Sequence, residues 1–333
     1  KIVKQHILYY LLNQSRSQIN ITRSILLSKA HNKSLTYPIH KKFKIIFEKN
    51  NIKINKFGSF FYWYLVAMFF YLLGIKKLFK IFIDSFKTSS STFKNSIYFD
   101  KLPEEAVNLN NNYHNRENYF TFILNYYKEK NLKLEKINHS IFNSQSFKFD
   151  NINIGYEKKF NTYLNFLNRI DFIFWAFKAM FLSLIDLFRG RWWHALLLSE
   201  AAERYFVSKL SFDNLHDMYF FNQTRGYILR PLWTYEAESK GSEVIFYFYS
   251  LNYTPLTKNK RRPVAIKTSS WSKYIVWNNE HEKHLKEFCQ IKFDVFYTFP
   301  TFFITGMNEF NPPKEKFVTV FDVAPIRTAF QKS

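Results

Sequence analysis

Met218-Tyr-Phe-Phe-Asn222, Leu229-Arg-Pro-Leu-Trp-Thr-Tyr-Glu-Ala-Glu238 and Lys240-Gly-Ser-Glu-Val-Ile-Phe-Tyr-Phe-Tyr-Ser250 follow one another in the chain, and together they decide the fold. The first and third segments hold short, unbroken apolar runs, the pattern of strands buried on both faces. The middle segment reads as a helix over Pro231 to Lys240. Pro231 suits the first helical turn, and Gly241 suits the position just past the end. Strand, helix and strand in sequence make a βαβ unit, and such units build a mostly parallel sheet.

The pattern continues toward the C-terminus. Lys273 to Trp277 reads as a strand, Glu280 to Gln290 as a helix, and Phe293 to Phe299 and Phe317 to Phe321 as two more strands. The connection from Leu251 to Ser272 is polar and basic, and loops of that length in a compact domain are usually functional or mobile.

Upstream the signal changes. Ile170 to Phe188 is apolar but carries Asp171, Lys178 and Asp186, so it reads as an amphipathic helix. Gly190-Arg-Trp-Trp193 leads into a further helix over His194 to Leu210. Trp192 and Trp193, next to Arg189 and Arg191, fit either a membrane surface or packing against the following domain. Residues 88–165 are rich in Asn, Lys and Ser with little sustained period, and read as a variable region of helices and loops. Phe57 to Ile75 has no charge, and nine of its nineteen residues are Phe, Tyr or Trp. This length would just span a bilayer. Aromatic content suits the interface better, and a buried core helix is a third reading. The expected organisation is thus a basic region over 1–56, an apolar aromatic helix over 57–87 that spans or touches a membrane, the variable region over 88–165, and an α/β lobe over 166–333.

Of the 48 basic residues only 12 are Arg, against 26 acids, which gives a net charge of +22. Recognition of bases and phosphates leans on the bidentate guanidinium. A lysine excess beside so much Asn, Ile, Phe and Tyr is what an AT-rich gene encodes, so no nucleic-acid partner is expected. The basic flanks of 57–75 point instead to an anionic membrane surface. The single cysteine, Cys289, allows no disulfide within the chain and reads as a buried thiol. The N-terminal stretch lacks a short apolar core followed by a small-residue cleavage site.

Several chemistries have no motif. There is no Gly-rich phosphate loop, no Asp-x-Asp pair and no Ser-centred nucleophile elbow. His281-Glu-Lys-His284 is one residue too short for a zinc-protease motif, and reads as solvated polar residues on an exposed helix face. No metal and no cofactor is expected.

The Leu229–Glu238 and Lys240–Ser250 runs, with Gly190-Arg-Trp-Trp193, Tyr274-Ile-Val-Trp277 and Val320-Phe-Asp-Val-Ala-Pro-Ile-Arg327, resemble a family of bacterial polysaccharide-biosynthesis proteins called after a Pro-Phe-Thr-Ser motif. The resemblance covers about residues 170 to 333. It implies the Rossmann-like lobe of a GT-B-type glycosyltransferase, preceded here by a mainly helical N-terminal region. Two doubly wound lobes would face each other, the first handling a lipid-linked or saccharide acceptor and the second a nucleotide-sugar donor, at the inner face of the cytoplasmic membrane. The chain begins with Lys1, stops at Ser333 and lacks the naming motif. It is therefore expected to be an N-terminal fragment without the donor lobe, and inactive by itself.

Ligands of open parallel sheets bind beyond the carboxyl ends of the strands. The predicted strands place Asn222, Gln223, Ser250, Asn252, Trp277, Asn278 and Asp322 there, although Asn, Ser and Asp also favour strand ends as turn residues. Arg225 and Arg230 flank the start of the Pro231 helix. They could meet an acceptor phosphate at its N-terminus or pair with Glu236 or Glu238. Inverting transfer needs a general base, for which Asp322 and Glu236 are the candidates by position, with Arg327 a partner for Asp322. The competing reading is a non-enzymatic basic protein from an AT-rich genome, membrane-associated or RNA-binding in the manner of a ribosomal protein, whose binding would be steeply salt-dependent.

Overall fold

The computed structural model describes residues 45, 48–49, 51, 56–86, 93–100, 127–128, 130–131, 133–141, 144, 146–149, 151–222, 230–248, 269–276, 278–289 and 292–297. These form eight strands and five α-helices. The strands are β1 (Ser96–Phe99), β2 (Lys136–His139), β3 (Phe147–Phe149), β4 (Ile152–Tyr156), β5 (Met218–Asn222), β6 (Glu243–Tyr247), β7 (Lys273–Val276) and β8 (Asp294–Tyr297). The helices are α1 (Lys56–Asp84), α2 (Phe166–Phe188), α3 (Trp193–Ser208), α4 (Trp233–Ser239) and α5 (Asn279–Phe288).

All eight strands join one sheet in the order β3-β4-β2-β1-β5-β6-β7-β8. Every neighbouring pair is parallel except β3 and β4. From β1 the chain winds one way through β2 to β4, then returns beside β1 as β5 and winds the other way to β8. This is a doubly wound, Rossmann-like α/β sheet, and its order reverses between β1 and β5.

The local reasons are those the sequence suggests. Met218 to Asn222 are all buried, as a strand covered on both faces requires. The helix after it ends in a complete Schellman motif. Gly241 takes φ +110, its N–H donates to the Glu238 carbonyl, and the Ser242 N–H donates to the Ala237 carbonyl.

One face of the sheet, carrying Tyr98, Tyr219, Phe221, Val244 and Phe246, packs against residues of all five helices. The opposite face buries Ile97, Phe99, Ile137, Met218 and Phe220, joined by Tyr127.

Three expectations are corrected. Residues 88–165 are not helices and loops alone: among the described residues they supply four of the eight strands, including β1 at the centre of the sheet. These strands are only three to five residues long. Their turns are made by asparagines at positive φ (Asn95, Asn131, Asn151), which tolerate the left-handed region. Second, of the three readings of 57–75 the spanning one finds no support: no helix among the described residues is long and apolar enough to cross a membrane. Trp63, Ala67, Tyr71 and Leu78 of α1 are buried, and Trp192 meets Trp63 edge to face with ring centroids 5.1 Å apart. Third, His281 is not solvated. It is buried against Phe248, with ring centroids 4.6 Å apart.

Candidate functional site

The strand order reverses between β1 and β5, and sheets of this kind bind ligands beyond the carboxyl ends of the strands at such a point. Asp100 follows β1 directly and is half-buried; its N–H donates to the Phe220 carbonyl at 2.9 Å, which ties it to β5. Burial, and then the neighbouring Asp100 carboxylate, push the Tyr98 hydroxyl far above its ordinary range.

At the end of β2, Asn138 and His139 are buried. The Ile141 N–H donates to His139 Nδ1 at 3.2 Å, so Nε2 carries the proton, 3.4 Å from Ser144 Oγ. Burial drives His139 down to about 4, so it is neutral at physiological pH. At the end of β5, Asn222 is buried and its Nδ2 donates to the Tyr247 hydroxyl at 2.8 Å, across the β5–β6 register pair. The carboxyl ends of β1, β2 and β5 therefore carry a carboxylate, a buried neutral imidazole and a buried carboxamide.

Of the residues expected at the site, Asn222 alone lies at a described strand end. Gln223, Arg225, Ser250, Asn252, Trp277 and Asp322 lie outside the described residues. Asn278 caps α5, its Oδ1 accepting from the His281 N–H at 2.9 Å. Arg230 is only 2% exposed. Its guanidinium donates to Thr234 Oγ1 (2.9 Å), the Thr234 carbonyl (3.2 Å) and Glu238 Oε2 (2.7 Å), and lies 4.0 Å over the Tyr235 ring. The fork is thus spent on fixing α4. The phosphate position imagined at the start of that helix is also taken, because the Leu232 N–H donates to Glu200 Oε2 at 3.1 Å.

Glu236 lies elsewhere. It pairs with Arg204 Nε at 2.8 Å and lines a cleft of about 610 Å³ between α2, α3 and α4, to which no strand residue contributes. The same cleft holds the stacked rings of Trp175 and Tyr205 (4.3 Å, 6°) and the 2.6 Å contact of His194 Nδ1 with Asp186 Oδ2. Behind it Glu203 is buried between Lys159 and Lys77. Burial works to raise its carboxyl, but the two lysines outweigh that and hold it below the usual range. Among the described residues no group of three or more metal-binding side chains gathers.

Residues 175–332 match the polysaccharide biosynthesis PFTS motif protein family. This is the family the sequence resembles, over nearly the same stretch. No curated protein and no solved structure matches the chain. The PFTS segment begins inside α2 and contains α3, α4, α5 and β5 to β8. Asn222 belongs to it, whereas Asp100, Asn138 and His139 precede it. Sequence reasoning missed those three because it did not see β1 and β2. The alternation of apolar and polar residues in Phe147-Lys-Phe149 and Ile152-Asn-Ile154 signalled β3 and β4, but β1 and β2 carry no comparable pattern.

Proposed function

We propose that this protein takes part in surface polysaccharide biosynthesis as a glycosyltransferase, moving a sugar from a nucleotide-sugar to a lipid-linked or saccharide acceptor held at the carboxyl ends of β1, β2 and β5. The carrying observation is the strand order β4-β2-β1-β5-β6-β7, parallel throughout, with its reversal beside Asp100. The PFTS match over 175–332 supplies the biosynthetic context. In the two-lobed GT-B-type reading this sheet is the acceptor lobe, the nucleotide-sugar sits in a second lobe, and the work is done at the inner face of the cytoplasmic membrane.

Inverting transfer needs a base to take the proton of the acceptor hydroxyl. Asp100, which follows β1 at the switch point, is our candidate for that role, and Asp322 is the alternative read from the sequence. Glu236 is set aside because Arg204 holds it in a different cleft. The RNA-binding alternative leaves both the doubly wound sheet and the family match without a purpose.

The test uses the full native gene product, a panel of nucleotide-sugars, and polyprenyl phosphate or polysaccharide acceptors, with nucleotide release as the readout. Asp100→Asn is expected to lower turnover roughly a hundred- to ten-thousandfold. Absence of release with every donor and acceptor pair would remove the proposal, and full activity of Asp100→Asn would move the base to Asp322.

A further inference from the structure

Helices α1 and α2 lie side by side, and the Tyr71 hydroxyl donates to the Met180 carbonyl at 3.1 Å. Each buries one face against the protein. On the other side each exposes a second apolar stripe at helical spacing. On α1 it comprises Phe57, Phe61, Leu65, Phe69, Leu72 and Phe79; on α2, Phe166, Ile170, Phe174, Phe177 and Phe181. Phe174 and Phe177 are 71% and 64% exposed. The stripes flank one groove of about 250 Å³, to which α1 contributes Phe79 and α2 contributes Phe177. A helix apolar on all sides belongs in a protein core or in lipid, and soluble surfaces rarely carry a continuous apolar face of this kind.

The charges on these helices select the occupant. Lys76, Lys80 and Lys178 are exposed among the aromatic residues, and Arg189 and Arg191 are exposed at the end of α2. The three acids of the two helices, Asp84, Asp171 and Asp186, are half-buried. Asp171 pairs with Lys209, and Asp186 with His194 and Arg191. The outward face is therefore apolar and cationic. A protein–protein interface depletes lysine, whereas a helix lying in a bilayer interface combines buried aromatics with lysines that reach the lipid headgroups.

We infer that the outward face of α1 and α2 docks this protein onto an anionic lipid bilayer, with both helices in the plane of the interface. At 1.5 Å per residue α1 is about 44 Å long, which makes it a footprint and not a span: its Trp63 and Ala67 are committed to the protein interior. The docking holds whether or not the carboxyl ends of the strands transfer sugar, so its test needs no enzymatic readout.

The full chain is mixed with vesicles of phosphatidylglycerol and phosphatidylethanolamine, or of phosphatidylcholine alone, and binding is read by flotation at low and high salt. Selective, salt-sensitive flotation with the anionic vesicles is expected. Phe174→Ser, Phe177→Ser and Phe181→Ser together should weaken it at least about tenfold. Replacing Lys76, Lys80 and Lys178 by Gln should weaken it roughly fivefold per lysine. Circular dichroism and the melting temperature verify that both variants fold, since every substituted side chain is exposed. The inference is overturned if the wild-type chain ignores anionic vesicles, or if folded variants float as well as it does. It is also overturned if the Phe variant abolishes a dimer in sedimentation equilibrium while vesicle binding persists.

Discussion

Gly74 of α1 lies so close to Leu198 of α3 that a Cβ built on the glycine would come within 2.7 Å of the leucine Cβ and 2.8 Å of its Cγ. Leu198 is buried, and those two atoms lie near the α3 backbone, so they cannot swing aside. Gly74→Ala gains about 1 kcal/mol of helix propensity but forces the helices apart, at a cost of about 1–3 kcal/mol. A net loss of about 1 kcal/mol is expected in urea unfolding, and more for Gly74→Val. Adding Leu198→Gly, which removes the Cβ and Cγ that meet the new methyl group, to Gly74→Ala should recover stability beyond additivity. A higher urea midpoint for Gly74→Ala would show that the helices are not in contact here.

His216 is fully buried between the rings of Phe93 and Tyr98, with Ser96 Oγ 2.8 Å from Nδ1 and the Lys158 carbonyl accepting from Nε2 at 3.0 Å. Burial pushes it down to about 4, and does the same to His139 and His281. In the unfolded chain these groups titrate near 6.5, so between about pH 6.5 and 4 the unfolded state binds protons that the folded state refuses. Stability is complete above that window and falls through it by about 2–3 kcal/mol per histidine. Urea midpoints measured across the window check this. His216→Gln should flatten the dependence, and a profile flat in the wild type would contradict it.

Arg230→Lys tests whether that side chain is structural. Lysine keeps the charge but loses the planar fork and the stacking on Tyr235. With the Thr234 contacts and part of the Glu238 pair gone, about 2–3 kcal/mol of stability should go with them. Thermal unfolding reads the loss. Unchanged stability with impaired phosphate binding would instead make Arg230 a ligand contact.

Cys289 lies against the Tyr274 hydroxyl, and burial raises its thiol to about 11. At pH 8 about one part in a thousand is thiolate, which is the reactive form. As the one cysteine in the chain, it should react with an aromatic disulfide reagent slowly in the folded protein and quickly in urea. Fast labelling of the folded chain would place the thiol at the surface.

The second half of the sheet was legible because β5, α4 and β6 are consistent at every level: unbroken apolar runs, Pro231 at the helix start and Gly241 at its end. The first half was not. β1 and β2 are four residues each, set among lysines and asparagines whose turn-forming role resembles plain low complexity. The site divided in the same way. Asn222 was legible at its strand end, but its neighbours across the switch point belong to the unread strands. Arg230, Glu236 and Asn278 are polar residues at the start of, or within, helices, and sequence cannot say that an ion pair or a cap already occupies them. His281 misled for a related reason: its spacing fits an exposed face, yet Phe248 covers it.

The PFTS match starts at residue 175, whereas β5 hydrogen-bonds on one side to β1, at residues 96–99. Similarity and cooperative folding therefore have different boundaries in this chain. A clone trimmed to the matched segment would strip β5 of that neighbour, leaving a raw strand edge of buried aromatic side chains where the middle of the sheet should be. Such an edge invites aggregation, so any expression fragment needs to begin upstream of Ser96 rather than where the family likeness begins.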